Sequence, residues 1–113
     1  MPRKAKYAVD KGNRNVRKTI KALTEQGFRA EKVEYRSRFH THDLFGLFDV
    51  LAINEKVIRL IQVKSNAWPS KEHAAAMREF VCPENVIKEC WRWESHIQKP
   101  RIMLYTKGDA AEL

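Results

Sequence analysis

Asp49, Gln62 and Lys64 are the residues whose types and spacing invite chemistry. They lie in the stretch from Asp43 to Ser65, DLFGLFDVLAINEKVIRLIQVKS, whose other members mostly demand burial. Val50, Leu51, Ala52 and Ile53 follow the acid. Val57, Ile58, Leu60, Ile61 and Val63 surround the amide and the amine, and β-branched, apolar runs of this kind read as interior strands. Asn54-Glu55-Lys56 is a polar break between them. If the two strands form a hairpin with Ile53 opposite Ile58, alternation puts Asp49 directly across from Gln62, with Lys64 one pleat further along the same face. Oxygen donors and an ammonium then meet at the end of an apolar sheet face, where burial without a task is costly. Asp43, six residues before Asp49, is open to two readings: a second metal ligand that supplies charge Gln62 lacks, or a cap for the turn entering the strand.

An acid on one strand and X-V-K on the next, each preceded by hydrophobic residues, resembles the PD-(D/E)XK nuclease superfamily. Here the pattern reads Phe48-Asp49 and Gln62-Val63-Lys64. Glutamine stands where most members carry Glu or Asp, a variant similar to Mrr-type restriction enzymes. Lys11-Gly12, a helix, Gly27-Phe28, a basic strand and then the two motif strands follow an order similar to the archaeal Holliday-junction resolvases. Those relatives carry an acid on the first helix, roughly where Val16 stands. The resemblance covers about residues 11 to 81. It implies a restriction-endonuclease-like fold and a Mg²⁺- or Mn²⁺-dependent endonuclease acting on DNA, duplex or branched. It also implies a homodimer, since two strands need two cuts. In that reading Asp49 is a charged ligand, the Gln62 side-chain carbonyl a neutral one, and Lys64 orients the attacking water or helps deprotonate it. The alternative is a nucleic-acid-binding module that keeps the nuclease fold without turnover, supported by the glutamine and by the missing helix acid.

Composition bounds these readings. The chain has 113 residues, the size of one domain. Its formal charge of +8 and isoelectric point near 9.7 point to a polyanionic partner, most simply nucleic acid. Cys82 and Cys90 match neither a metal-binding Cys pair nor a disulfide framework, which suggests reduced thiols in the cytoplasm. No apolar run approaches the roughly 18 residues of a membrane span.

The elements that position the site follow in order. Residues 1–11 read as a basic arm. From about Arg14 to Gln26, Val16, Ile20 and Leu23 recur at helical spacing, with Asn13 as cap and Gly27 as left-handed stop. Arg14, Arg17, Lys18 and Lys21 fall on the other sides of this helix, a stripe that suits phosphates or is simply solvated. Phe28 to Arg38 reads as a strand at or near the sheet edge. It leads into Arg36-Ser37-Arg38-Phe39-His40-Thr41-His42, a loop whose Arg36, Arg38, His40 and His42 could grip a strand backbone or a base. His40 and His42 could instead share a metal, although zinc would want further ligands at suitable spacing. A second helix is capped by Ser70 and ends before Pro83. Asn85 to Glu94 reads as a strand whose Trp91 and Trp93 share a face, to cover the sheet or to stack on bases. Arg101 to Thr106 is a last strand, and 108–113 reads as a flexible tail. The sum is an α/β fold, a mixed sheet flanked by helices in the order α-β-β-β-α-β-β.

Overall fold

The computed structural model describes residues 3–36 and 41–113. The elements run α1 (Arg3–Glu25), β1 (Arg29–Lys32), β2 (Glu34–Arg36), β3 (Thr41–Asp43), β4 (Val50–Ile53), β5 (Ile58–Ser65), α2 (Lys71–Glu79), β6 (Val86–Trp93), β7 (Arg101–Thr106) and β8 (Asp109–Glu112). Six strands form one mixed sheet in the order β1-β4-β5-β6-β7-β8, while β2 and β3 form a separate antiparallel pair. The neighbours β5 and β6 run parallel, with the connection between them passing through α2. The α/β class and the mixed sheet with helices on its faces are as the sequence predicts.

Three expectations need correction. The backbone of the expected arm, residues 1–11, is helical from Arg3 onward. Its residues are good helix formers, and the internal Gly12 costs a helix only about 1 kcal/mol. Asn13 is therefore inside the helix and not its cap, and its Oδ1 accepts from Lys32 Nζ at 3.3 Å. The single strand expected over 28–38 breaks at Val33, and β2 turns away to pair with β3, a strand where a loop was expected. The expected tail, 108–113, is largely β8. It returns through Lys107-Gly108, with Gly108 at φ +75°, and sets Tyr105 opposite Ala110 and Met103 opposite Glu112. Asp109-Ala110-Ala111-Glu112 is exposed throughout, so no apolar pattern announced it.

Local signals at the helix ends hold. Gly27 takes φ +92°, and Phe28 and Gly27 return their N–H groups to Leu23 and Thr24, the Schellman arrangement that ends α1. Ser70 Oγ accepts the His73 N–H at 3.1 Å and opens α2.

The sheet has two differently used faces. On one, α1 lays Leu23, with Val16 and Ile20, against Val50, Ala52, Ile61, Trp91 and Trp93. Both indoles are buried there, Trp91 to 1% exposure, with Trp91 Nε1 donating to Glu89 and Trp93 Nε1 to Thr19. Burial assigns them to the core and removes the base-stacking alternative. On the other face, α2 and its flanks gather Met77, Ala74 and Phe80 over Phe48, Leu60, Cys90 and Tyr105.

Arg59 forks onto the buried Glu89 at 2.6 and 2.7 Å, while its guanidinium lies 4.9 Å from the Phe28 ring and reaches Gln26 at the end of α1. This pair staples α1 and the start of β1 to the sheet centre. Glu89→Ala, which leaves the guanidinium without its carboxylate, is expected to cost about 3 kcal/mol in urea unfolding. Arg59→Met combined with Glu89→Leu should recover only part of that loss, because the buried Trp91 N–H is left without its acceptor at a cost of about 1 kcal/mol or more. A loss below about 1 kcal/mol for Glu89→Ala would refute the role.

Candidate active site

The register of β4 against β5 decides the site. Ile53 pairs with Ile58, Ala52 with Arg59, Leu51 with Leu60 and Val50 with Ile61, the hairpin that the sequence predicts. Ladder pairing stops at Val50, so residues 62–65 of β5 extend beyond β4 and pair only with β6. Asp49 fills part of that vacated edge. Its backbone N–H donates to Ile61 O, its carbonyl accepts from Val33 N, and its Oδ2 accepts the Val63 N–H, each at 2.8 Å. A buried strand N–H needs an acceptor, and here a carboxylate supplies it in place of a neighbouring carbonyl.

The approach to Asp49 is a tight hairpin. Leu44 bridges to Phe48, Leu47 N–H returns to Leu44 O at 3.0 Å, and both central residues have positive φ, Phe45 at 56° and Gly46 at 70°. A phenylalanine in the left-handed region is strained, by roughly 1–3 kcal/mol. Its ring packs on Phe80 at 5.0 Å, and His73 Nε2 of α2 lies 3.0 Å from Leu47 O, so α2 holds this turn from above.

Asp49, Gln62 and Lys64 share the α2 face, since Leu51 and Leu60, two residues from Asp49 and Gln62, both belong to that cluster. Cys90, the register partner of Gln62, is buried beneath them and feels the charges of both Asp49 and Lys64. Burial pushes its thiol up to about 12, so it is inert. Asp43 comes to the same place. At the end of β3 its carbonyl accepts from Gly46 N at 2.8 Å, and its carboxyl shares a hydrogen bond with that of Asp49. Asp43 therefore forms the turn entering the strand, one of its two expected roles, and lies against Asp49.

Burial, then the hydrogen bond and charge of Asp43, push the Asp49 carboxyl up to about 7, against the pull of the Val63 N–H and of Lys32. The Asp49 carboxyl therefore holds a proton close to neutral pH. Gln62 is 8% exposed, and its Oε1 is buried with no hydrogen-bond partner among the described residues. An orphaned carbonyl oxygen on the same face as the Asp49 carboxyl, with the Asp43 carboxyl bonded to Asp49, is a donor set that fits a hard divalent cation. It is a lean set: among the described residues no group of three His, Cys, Asp or Glu side chains comes together. Val16, at the helix position where the resemblance puts an acid, packs into the α1-side core and offers no ligand.

The predicted nucleic-acid residues are not all brought here. Arg14, Arg17 and Lys21 are exposed on α1, on the opposite side of the sheet, and Lys18 lies 5.3 Å over the Trp93 ring. Arg14 and Lys18 join Asn15, Ser95 and His96 around a polar cavity of about 210 Å³. Asn15 in turn bonds Ser65 Oγ at the end of β5. Arg36 lies in β2, its backbone paired with Thr41, and His42 is exposed in β3. Arg38 and His40 lie outside the described residues. Arg92 and Arg101, passed over in the sequence, reach the α2 face beside Lys64. Their signal is parity with Cys90 and Met103, visible only once β5, β6 and β7 are in register. No described helix is long and apolar enough to cross a membrane.

This arrangement is a restriction-endonuclease-like fold. A solved structure with the same fold is Hjc, a Holliday junction resolvase from the archaeal hyperthermophile Archaeoglobus fulgidus. It is similar at a TM-score of 0.61 and 15% identity, over 90% of this chain and 87% of that one. No protein-family model and no curated protein matches the sequence.

The Asp49 proton has a consequence for stability. The folded state binds it more tightly than the unfolded chain, so the stability it lends is whole below about pH 3.8 and is lost as pH rises to about 7. Urea unfolding should show a decline on the order of 3 kcal/mol across that window. Asp49→Asn should flatten it, and Mg²⁺ at pH 8 should raise the melting temperature of the parent more than that of Asp49→Asn. Stability that rises from pH 4 to 7 would contradict this account of the site.

Proposed function

We propose that this chain is a metal-dependent endonuclease that hydrolyses DNA phosphodiester bonds, in branched or duplex substrates. The observation that carries the reading is the unpartnered Gln62 Oε1 on the same sheet face as Asp49, whose carboxyl is hydrogen-bonded to Asp43 and pushed up to about 7. Asp49, Gln62 and Asp43 would hold Mg²⁺ or Mn²⁺, which supplies a Lewis acid for the phosphoryl oxygen and acidifies a bound water. Lys64 has no carboxylate partner among the described residues, so its charge is available to orient the attacking water and to face the negative charge that develops on the phosphate. The resolvase-like fold and the charge of +8 support DNA as the substrate. Paired cuts in a branched substrate call for two sites, hence two copies of the chain.

One observation favours a second reading, a DNA-binding module without turnover: Val16 is committed to the core, so the helix position where the resemblance puts an acid adds no oxygen ligand to a lean donor set. Incubation of supercoiled plasmid, forked DNA and a four-way junction with Mg²⁺ or Mn²⁺ separates the two. The enzyme reading expects cutting by the parent, reduced by about 100-fold or more in Lys64→Ala, with DNA binding weakened by no more than about tenfold, the loss of one phosphate contact. Binding that falls steeply with salt, and no cutting of any substrate by the parent, selects the module.

A further inference from the structure

Three cations stand in line across three neighbouring strands beside the candidate site. The sheet register sets Lys64 of β5 beside Arg92 of β6, and Arg92 opposite Arg101 of β7. Side-by-side residues of a sheet project to the same face, and Cys90 and Met103, two positions away along β6 and β7, lie with Phe48 and Leu60 on the α2 side. The row therefore shares its face with Asp49 and Gln62. At about 4.8 Å per strand it spans roughly 10 Å, the axial rise of about three phosphates on one DNA strand. Trp68, from the connection between β5 and α2, lies 5.3 Å from the Arg92 guanidinium and 5.2 Å from that of Arg101.

The two arginines are occupied in an unusual way. Arg101 grips Glu112 of β8 through a two-pronged contact at 2.9 and 2.9 Å, and its third nitrogen lies 3.5 Å from Glu94. Arg92 Nε lies 2.9 Å from the same Glu94 oxygen but off the hydrogen-bond line, so attraction holds it there while its buried N–H makes no bond. An arginine fork fits a carboxylate and a phosphate alike, and a phosphate offers more charge and more oxygens. The Arg101 to Glu112 contact is open to solvent on both sides, where ion pairs are weak and exchangeable.

We propose that Arg92, Arg101 and Trp68 form a second phosphate subsite for the DNA strand leading away from the scissile bond, with Glu94 and Glu112 occupying it in the free protein as internal substitutes for phosphate. The subsite rests on the DNA reading above. Lys64 faces the reacting phosphate and the arginines take the next ones, exchanging carboxylate for phosphate as the strand arrives. Trp68 keeps the two guanidiniums side by side, its ring covering a face that water would otherwise solvate.

A purely structural clamp and a phosphate subsite predict different signs. If Arg101 and Glu112 serve only to fasten β8, losing either one loosens the same strand, and any effect on DNA binding has the same direction. If Glu112 competes with phosphate, the two substitutions oppose each other. The test is anisotropy of a fluorescently labelled four-way junction, and of a duplex with one of its arm sequences, titrated with full-length protein in Ca²⁺ over a range of salt. Arg101→Ala should weaken binding about tenfold and lower the salt slope by about 0.9, one phosphate contact. Glu112→Gln should tighten binding by about threefold and steepen the slope, and Arg101→Lys should restore part of the loss. Equal affinities for parent, Arg101→Ala and Glu112→Gln, or shifts of the two variants in one direction, would overturn the subsite while leaving the nuclease reading intact. A parent that binds neither DNA would overturn both.

Discussion

The ladder between β4 and β5 is the constraint on which the rest of the molecule depends. Side chains alternate with a period of two, so a slip of one residue would carry Asp49 to the α1 face among Val50, Ile61 and Trp91. The slip is opposed from both sides. Val50 and Ala52 are completely buried against α1, and Leu51 and Leu60 are committed to the α2 side. The chemistry-bearing residues inherit their placement from this apolar commitment. Because β5 outruns β4, the site sits where the sheet has lost one neighbour and retains the other, and Asp49 completes the edge with a charged group where a strand would have supplied a neutral one. The price is a carboxyl that holds its proton near neutral pH.

The two faces divide the work. Toward α1 the sheet carries the buried Arg59 and Glu89 pair, two indoles with satisfied N–H groups, and Thr19 bonded to the α1 backbone. These contacts define one rigid packing. Toward α2 it carries a strained turn, an orphaned amide oxygen and charges with poor or exchangeable partners. Polar dissatisfaction of this kind is disfavoured in a surface that only has to pack, and its concentration on one face is what singles that face out as the candidate site. The ends of the faces are not independent. Asn66, at φ 59°, accepts the Ser95 N–H and donates its own to Trp93 O, tying the exits of β5 and β6 together.

What the sequence discloses follows from how local each determinant is. The β4 and β5 hairpin was legible because apolar runs, a polar break and an even loop all lie within a few residues. The Gly27 stop and the Ser70 cap were legible for the same reason. The separate β2 and β3 pair was hidden behind basic residues with no apolar alternation. β8 was hidden because its order comes from the ladder to β7 and from Arg101, eleven residues away, gripping Glu112. Asp49, Gln62 and Lys64 could be placed on one face from alternation alone. Arg92 and Arg101 could not, because their arrival beside Lys64 depends on a parallel pairing reached across a whole helix. The α1 stripe could be read as basic, yet only the packing of α1 shows that it lies on the far side of the sheet.

The sheet's outer strands bear on how copies of the chain can meet. β1 and β8 are four residues each; one carries Arg29, Glu31 and Lys32, the other Asp109 and Glu112, and both are largely exposed. Short, charged rims are poor templates for another chain's backbone. Growth of the sheet from one molecule into the next is thereby discouraged at both ends, which protects against fibrous aggregation and leaves helix surfaces and loops as the routes by which two molecules could join.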